Sequence, residues 1–196
     1  MIRRIRYNIG LLLLWPIYLM LKRCDNWEVI KEDIVFWRIC YHLSAEVKYK
    51  NWVRLMVYHK AFRNVFYFRI KRWTYMLSLF LPPQKEPLIS VEKKIDGGLF
   101  FCHGFSTIVV AKSIGKRCWI NQQVTIGYNS QWGGPVIGDN VHIFAGALVI
   151  GDIKIGNNVV VGAGAVVVKD VPDNCTVVGN PARIVKRNGV TVNESL

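Results

Sequence analysis

His103, in the string FFCHGFST, is the residue of this chain whose type and setting best suit chemistry near neutral pH. An imidazole titrates close to neutrality, so it can take a proton from a substrate as a bond forms. The glycine after it, Gly104, gives the backbone freedom at that point. Among the other histidines, His142 reads as a surface or interface residue, and His42 and His59 as ordinary residues of a helical region. A second chemical group lies in the string GYNSQWGGP, where Tyr128, Asn129, Gln131 and Trp132 offer aromatic faces for a sugar ring and amides for its hydroxyls. Trp132 suits packing against a neighbouring subunit equally well. Cys24, Cys40, Cys102, Cys118 and Cys175 form no CxxC pair and are odd in number, which excludes a disulfide framework or a cysteine zinc site and fits a reducing compartment. Cys118 reads as a small core residue.

What positions these residues is a six-residue period. Branched aliphatics recur at Ile108, Ile114, Ile120 and Ile126, and again at Ile137, Ile143, Val149, Ile155, Val161 and Val167, often with glycine directly after. A second set of small or aliphatic residues follows four places later, as at Val124, Ala147 and Ala165. Neither a 3.6-residue helix nor a two-residue strand has this period; hexapeptide coils of a parallel β-helix do. Backwards, Ile95 and Phe101 keep the step, but Phe101 to Ile108 spans seven residues. The sequence therefore predicts a one-residue slip at FFCHGFST, a bulge of the kind that re-aims a side chain. Between Ile126 and Ile137 five residues are added, predicting a loop that leaves the stack.

The predicted organisation is a helical, basic and aromatic region over residues 1–81, a proline-rich linker over 82–87, a β-helix over 88–178 and a closing tail over 179–196. Three helices are expected before the linker. The first is the apolar run Ile9 to Leu21, preceded by Arg3, Arg4 and Arg6 and closed by Lys22 and Arg23. It is short for a bilayer span, which takes about 20 residues. It suits an interfacial segment on anionic lipid, with the protein cytoplasmic and peripheral on the inner membrane face, or a helix packed inside an oligomer. The second starts near Asp25-Asn26 with Glu28 placed for a capping box, and the third runs from about Asn51 to Leu81. The charge of +13 is concentrated here: residues 1–90 hold 16 Lys and Arg against 6 Asp and Glu. Basic and aromatic residues interleave, but no nucleic-acid motif accompanies them, and a nucleic-acid partner is not expected.

Residues 88–185 resemble the hexapeptide-repeat acyltransferases, and most closely their serine acetyltransferase branch. The strings that carry the likeness are IDGGLFFCHGFSTIVV, IGKRCWINQQVTIG, PVIGDNVHIFAGALVIGDIKIGNNVVVGAGAVVVKDVP and VVGNPARIV. The resemblance implies a left-handed parallel β-helix assembled as a homotrimer, with acetyl-CoA in the groove between two β-helices and no metal. It implies that His103 is the general base for direct attack of an acceptor hydroxyl on the thioester. By the same resemblance Ala145 and Ala163 give room to the pantetheine arm, and Asn180, Pro181, Arg183 and Lys186 lie at the nucleotide end, where basic side chains suit phosphates.

The chain departs from the serine acetyltransferase pattern in three places. Cys102 stands where that branch has an aspartate before the histidine, Leu88 stands where a second aspartate orients the imidazole, and Gly133-Gly134 stand where an Arg-His pair precedes the proline. Charged ends of an amino acid need charged partners. The expected acceptor is thus a neutral sugar or glycan hydroxyl of surface-polysaccharide assembly, bound near Cys102, Tyr128, Asn129 and Trp132. Serine O-acetylation is the alternative, and a non-enzymatic trimeric scaffold the second. Glu92 and Asp96 are the nearest carboxylates in sequence that could orient His103.

Overall fold

The computed structural model describes residues 2–71, 74–129 and 133–196, which divide into two compact units, Met1–Gln84 and Lys85–Leu196.

The first unit is helical: α1 (Ile2–Leu13), α2 (Trp15–Leu21), α3 (Trp27–Cys40), α4 (Tyr49–Tyr58), α5 (Lys60–Ile70) and α6 (Thr74–Phe80). Aromatic rings fill its core, with Trp37, Trp52, Phe62 and Phe66 all fully buried. Gly10 lets α1 lie close on α4, since a Cβ there would meet Val57 at 3.0 Å and Val53 at 3.2 Å. Across α3 and α5, the Arg69 guanidinium donates to both oxygens of Asp33 at 2.9 and 3.1 Å, and both side chains are buried.

Two helical expectations are corrected. The apolar run divides at Leu14 into α1 and α2, and the stretch from Asn51 to Leu81 divides at His59, whose extended backbone (φ −114°, ψ 94°) separates α4 from α5. The capping box is also absent. Asn26 caps α3 without a side-chain bond, because its amide donates instead to the Arg69 carbonyl at 2.9 Å, and Glu28 pairs with Lys31 at 2.7 Å. A long-range partner for Asn26 and a neighbour on the same helix for Glu28 displaced the capping motif.

The second unit is the parallel β-helix that the six-residue period predicts. Its strands are β1 (Leu88–Ile95), β2 (Phe100–Phe101), β3 (Ile108–Ile114), β4 (Trp119–Ile120), β5 (Thr125–Gly127), β6 (Val136–Ile137), β7 (His142–Ile143), β8 (Leu148–Ile150), β9 (Lys154–Ile155), β10 (Val160–Val161), β11 (Val166–Val167) and β12 (Cys175–Val178). They form three faces. The start of β3 pairs with β5, then β8, then β11; the end of β3 pairs with β6, then β9; and β2, β4, β7, β10 and β12 make the third. Every one of these pairs is parallel, so each residue sits on its counterpart one coil away. On the third face Phe101, Ile120, Ile143, Val161 and Val177 point inward, each at most 1% exposed.

The corners are tight, and their residue types follow from that. Gly115, Gly138 and Gly156 stack at one corner, where a Cβ on Gly138 would lie 2.8 Å from the Gly156 carbonyl. Beside them Asn140, Asn158 and Asn174 adopt φ of 54–57°, a left-handed conformation that asparagine tolerates, and their amides bond coil to coil at 3.1 and 2.8 Å.

The tail does more than close the stack. It is an antiparallel hairpin, β13 (Arg183–Arg187) and β14 (Val190–Ser195), joined to β12.

Candidate active site

The irregularity at His103 is larger than one residue. Val109 pairs with Ile126 and is fully buried, whereas Ile108 pairs with Thr125 and is 43% exposed. The inward beat therefore falls on Val109, not Ile108. Phe101 pairs with Ile120, so the path from Phe101 to Val109 takes eight residues where the next coil, Ile120 to Ile126, takes six. From Val109 to Ile114 the chain then takes five, which conceals one of the two extra residues from a count along the sequence.

The backbone identifies the two that are inserted. Ser106, Gln123, Gly146 and Gly164 hold equivalent corner positions, all with positive φ (48°, 59°, 71° and 65°). The N–H of each of the last three bonds to a carbonyl one coil up, Gln123 to Phe105 (3.0 Å), Gly146 to Gln122 (3.2 Å) and Gly164 to Ala145 (2.9 Å). Phe105, Gln122, Ala145 and Ala163 therefore form one column. Cys102 holds the place above Asn121, with its N–H bonded to the Ile120 carbonyl at 2.9 Å. His103 and Gly104 are the residues left over. Both have left-handed backbones, φ 71° and 68°, and His103 is exposed. A non-glycine residue at such a φ persists only where its surroundings enforce it.

Glu86 contributes to that enforcement. In the lower coils the corner N–H finds a carbonyl above it; at Ser106 the Glu86 carboxylate accepts that bond instead. Thr107, fully buried, donates its hydroxyl to the Phe105 carbonyl (3.1 Å) or the Asn121 carbonyl (3.3 Å). Glu92 and Asp96 are placed elsewhere, on and just beyond β1, with Asp96 paired to Lys94 at 3.2 Å. Glu86 was missed in the sequence because it sits in the linker, 20 residues from its partner.

Cys102 is half-buried, and burial pushes its thiol above the usual range, so it stays neutral at pH 7. Leu88 is 57% exposed and pairs with Ile108.

The expected donor-binding residues divide. Ala145 and Ala163 lie in the column that starts beside His103. Asn180, Pro181 and Arg183 line a cleft of about 560 Å³ together with Lys169, Asn193 and Ser195. Lys186 is not among its lining residues; on β13, it pairs with Thr176 of β12. Lys169, which sequence reasoning passed over, supplies the second cation, and its ammonium donates to the Leu196 carbonyl at 2.5 Å. Four coil spacings of ~4.8 Å separate the coil of His103 from that of Gly179, about 19 Å along the stack.

Of the expected acceptor residues, the described ones fall at two corners of the coil. His103 lies at the corner between the third and first faces, whereas Tyr128 and Asn129 leave the stack between β5 and β6, at the next corner. Tyr128 is 56% exposed, and Gln131 and Trp132 lie outside the described residues. His142 is half-buried in a stack with Trp119 (5.7 Å between rings), and burial holds its pKa below the usual value.

The family model of the bacterial transferase hexapeptide repeat matches residues 134–169. A serine acetyltransferase from Synechococcus elongatus is 35% identical over 156 residues, 73% of this chain and 64% of the relative. One from Staphylococcus aureus is 36% identical over 149 residues, 71% of this chain and 66% of the relative. The chain thus spans slightly less than two thirds of the length of either. Among solved structures, a serine O-acetyltransferase from Brucella melitensis aligns with a TM-score of 0.63 at 26% identity, covering 91% of this chain and 74% of that one. A serine acetyltransferase from Brucella abortus, in complex with coenzyme A, aligns with a TM-score of 0.60 at 26% identity, covering 88% and 73%. In its repeat and its coils the chain is similar to the bacterial hexapeptide-repeat transferases, and the relatives and solved structures it resembles are serine acetyltransferases.

Proposed function

We propose that this protein is an acetyl-CoA-dependent O-acetyltransferase with His103 as its general base. The observation that carries the reading is one line of residues. It runs from the inserted His103-Gly104, past Ala145 and Ala163, to a cleft with the cations of Lys169 and Arg183. The alanine methyls leave room for a slender pantetheine arm, the cations suit nucleotide phosphates, and about 19 Å is a span such an arm covers. His103 takes the proton from the acceptor hydroxyl while its oxygen attacks the thioester carbonyl. The C–S bond then breaks, and the departing thiolate takes the proton from the imidazolium, so protons and electrons balance. The reading includes a homotrimer with the donor between neighbouring β-helices, which also gives the 128–135 loop of one subunit a route to the His103 of another. It places the protein in the cytoplasm.

Serine is the acceptor that the relatives' names support, better than the glycan hydroxyl expected from the loop residues. A neutral sugar hydroxyl is the second reading, favoured by a specific observation: Cys102 is a neutral thiol, and Leu88, Gly133 and Gly134 carry no charge to hold a zwitterion. In that case the acceptor is delivered at a membrane. Ile5, Ile9, Leu12, Leu13, Leu19 and Met20 form an exposed apolar surface on α1 and α2, bordered by Arg4, Arg6, Lys22 and Arg23. Among the described residues no helix is long and apolar enough to cross a membrane. Release of free CoA thiol is to be measured with serine, free sugars, nucleotide sugars and lipid-linked glycans. Rapid turnover of serine removes the second reading, and turnover confined to glycans removes the first.

A further inference from the structure

One side chain in the donor line belongs to neither end of it. In the column Phe105, Gln122, Ala145, Ala163, the two alanines leave the corner open, and Gln122 is the first longer side chain above them. It lies one coil from the inserted His103-Gly104, at the point where a thioester must stop to meet the imidazole. Its carboxamide oxygen Oε1 is buried and has no hydrogen-bond partner among the described residues. A buried carbonyl oxygen without a donor is costly, and few native side chains keep one.

The donors around it are committed elsewhere. The Gln123 N–H bonds to the Phe105 carbonyl and the Gly146 N–H to the Gln122 backbone carbonyl, at 3.0 and 3.2 Å. The Trp119 indole N–H is held by the Asn121 side chain at 2.6 Å, the Ser106 N–H by Glu86, and the Thr107 hydroxyl by backbone carbonyls. Among the described residues no donor reaches it, which leaves the oxygen available to a bound molecule. An arm rising past Ala163 and Ala145 with its thioester near His103 carries a secondary amide two carbons from the sulfur, and that amide has one N–H.

We infer that Gln122 Oε1 accepts a hydrogen bond from this amide N–H, turning into the groove to do so, and thereby fixes how far the acyl carbonyl advances toward His103. The inference rests on the donor being acetyl-CoA, and it extends to any N-acylcysteamine thioester. It makes Gln122 a donor-binding residue, distinct from one that orients the imidazole.

The test compares wild-type protein with Gln122→Leu, and with Gln122→Met should the first variant fail to fold, on two donors besides acetyl-CoA. S-acetyl-N-acetylcysteamine retains the amide N–H; S-ethyl thioacetate lacks it. The expected result is a rise of about tenfold in KM for acetyl-CoA and a similar loss of kcat/KM on the cysteamine thioester, the scale of one hydrogen bond. The rate on S-ethyl thioacetate and the pH profile of kcat stay as in wild type. Equal losses on both small donors, a shifted pH profile with KM unchanged, or no change on any donor each overturn the assignment. Wild-type protein that fails to bind CoA in a calorimetric titration overturns the donor reading and this inference with it. Wild-type binding that Gln122→Leu leaves unaltered overturns the inference alone.

Discussion

The β-helix and the helical unit hold their residues in place by different means. In the β-helix most positions are enforced by the same position one coil away: Ile120 pairs with Ile143, Asn158 bonds to Asn140 and Asn174, and the corner N–H groups of Gln123, Gly146 and Gly164 find the carbonyl above them. In the helical unit every important contact is made once, as with the Asp33–Arg69 pair, the Gly10 approach to α4 and the Asn26 amide on the Arg69 carbonyl. Repetition tolerates a local departure because the coils on either side still fix the chain. That is why the β-helix can hold two left-handed extra residues and aim His103 outward. The site is a place where the repeat is broken, as it is again between β5 and β6, and it lies at the top corner, where a side chain, Glu86, accepts the bond that a carbonyl accepts in the lower coils.

The sharpest way to break this contrast is to remove a contact made once. Asp33→Asn leaves a buried guanidinium without its counter-charge and is expected to cost about 3–5 kcal/mol. Chemical denaturation followed by far-UV circular dichroism should show the helical signal lost early while the β-helix signal persists; a single unchanged transition contradicts the account. Next in size is a pair of substitutions across the register. Val109→Ala removes a fully buried side chain and is expected to cost about 2 kcal/mol, whereas Ile108→Ala on the outer surface stays within about 0.5 kcal/mol. Equal losses would put the beat back on Ile108. Smaller again is Glu86→Ala, which frees the Ser106 N–H beside His103. A loss of ~1 kcal/mol there is about fivefold in kcat, with little change in KM for acetyl-CoA and most of the rate retained by Glu86→Gln, which keeps an acceptor oxygen.

The smallest effect is a pH dependence shared by both units. Burial holds the pKa of His59 and of His142 below the usual value of 6.5. The unfolded chain therefore binds these protons first, and the stability they contribute is present above pH 6.5 and lost as pH falls through the folded values. Thermal midpoints recorded from pH 7.5 downward should drop below 6.5, and His59→Gln should flatten the curve for the helical transition.

How much of this was legible in the sequence follows the same division. Hexad periodicity is a local signal repeated many times, so the β-helix could be read from it, and the outlying His103 with it. The register around His103 could not, because Ile108, Val109 and Val110 are all branched aliphatics and a later one-residue deletion hides one of the two inserted residues. Glu86, Lys169 and Gln122 were not legible as site residues, since each matters through partners one coil or more away. In the helical unit the elements were found but not their breaks. The break at Leu14 had a sequence cause that the reading passed over, Pro16 at the start of α2, whereas His59 carries no local breaker and Asn26 gives up its expected cap for a carbonyl 43 residues distant.

The central claim is that His103, lifted out of the stack by a two-residue insertion, is the base of an acetyl transfer. The direct measurement is the rate of CoA thiol release from acetyl-CoA, at saturating acceptor, by wild-type protein and by His103→Ala with a matched thermal midpoint. The account predicts a fall of roughly 10²–10⁴-fold in kcat with acetyl-CoA binding retained. A variant that turns over as fast as the wild type contradicts it.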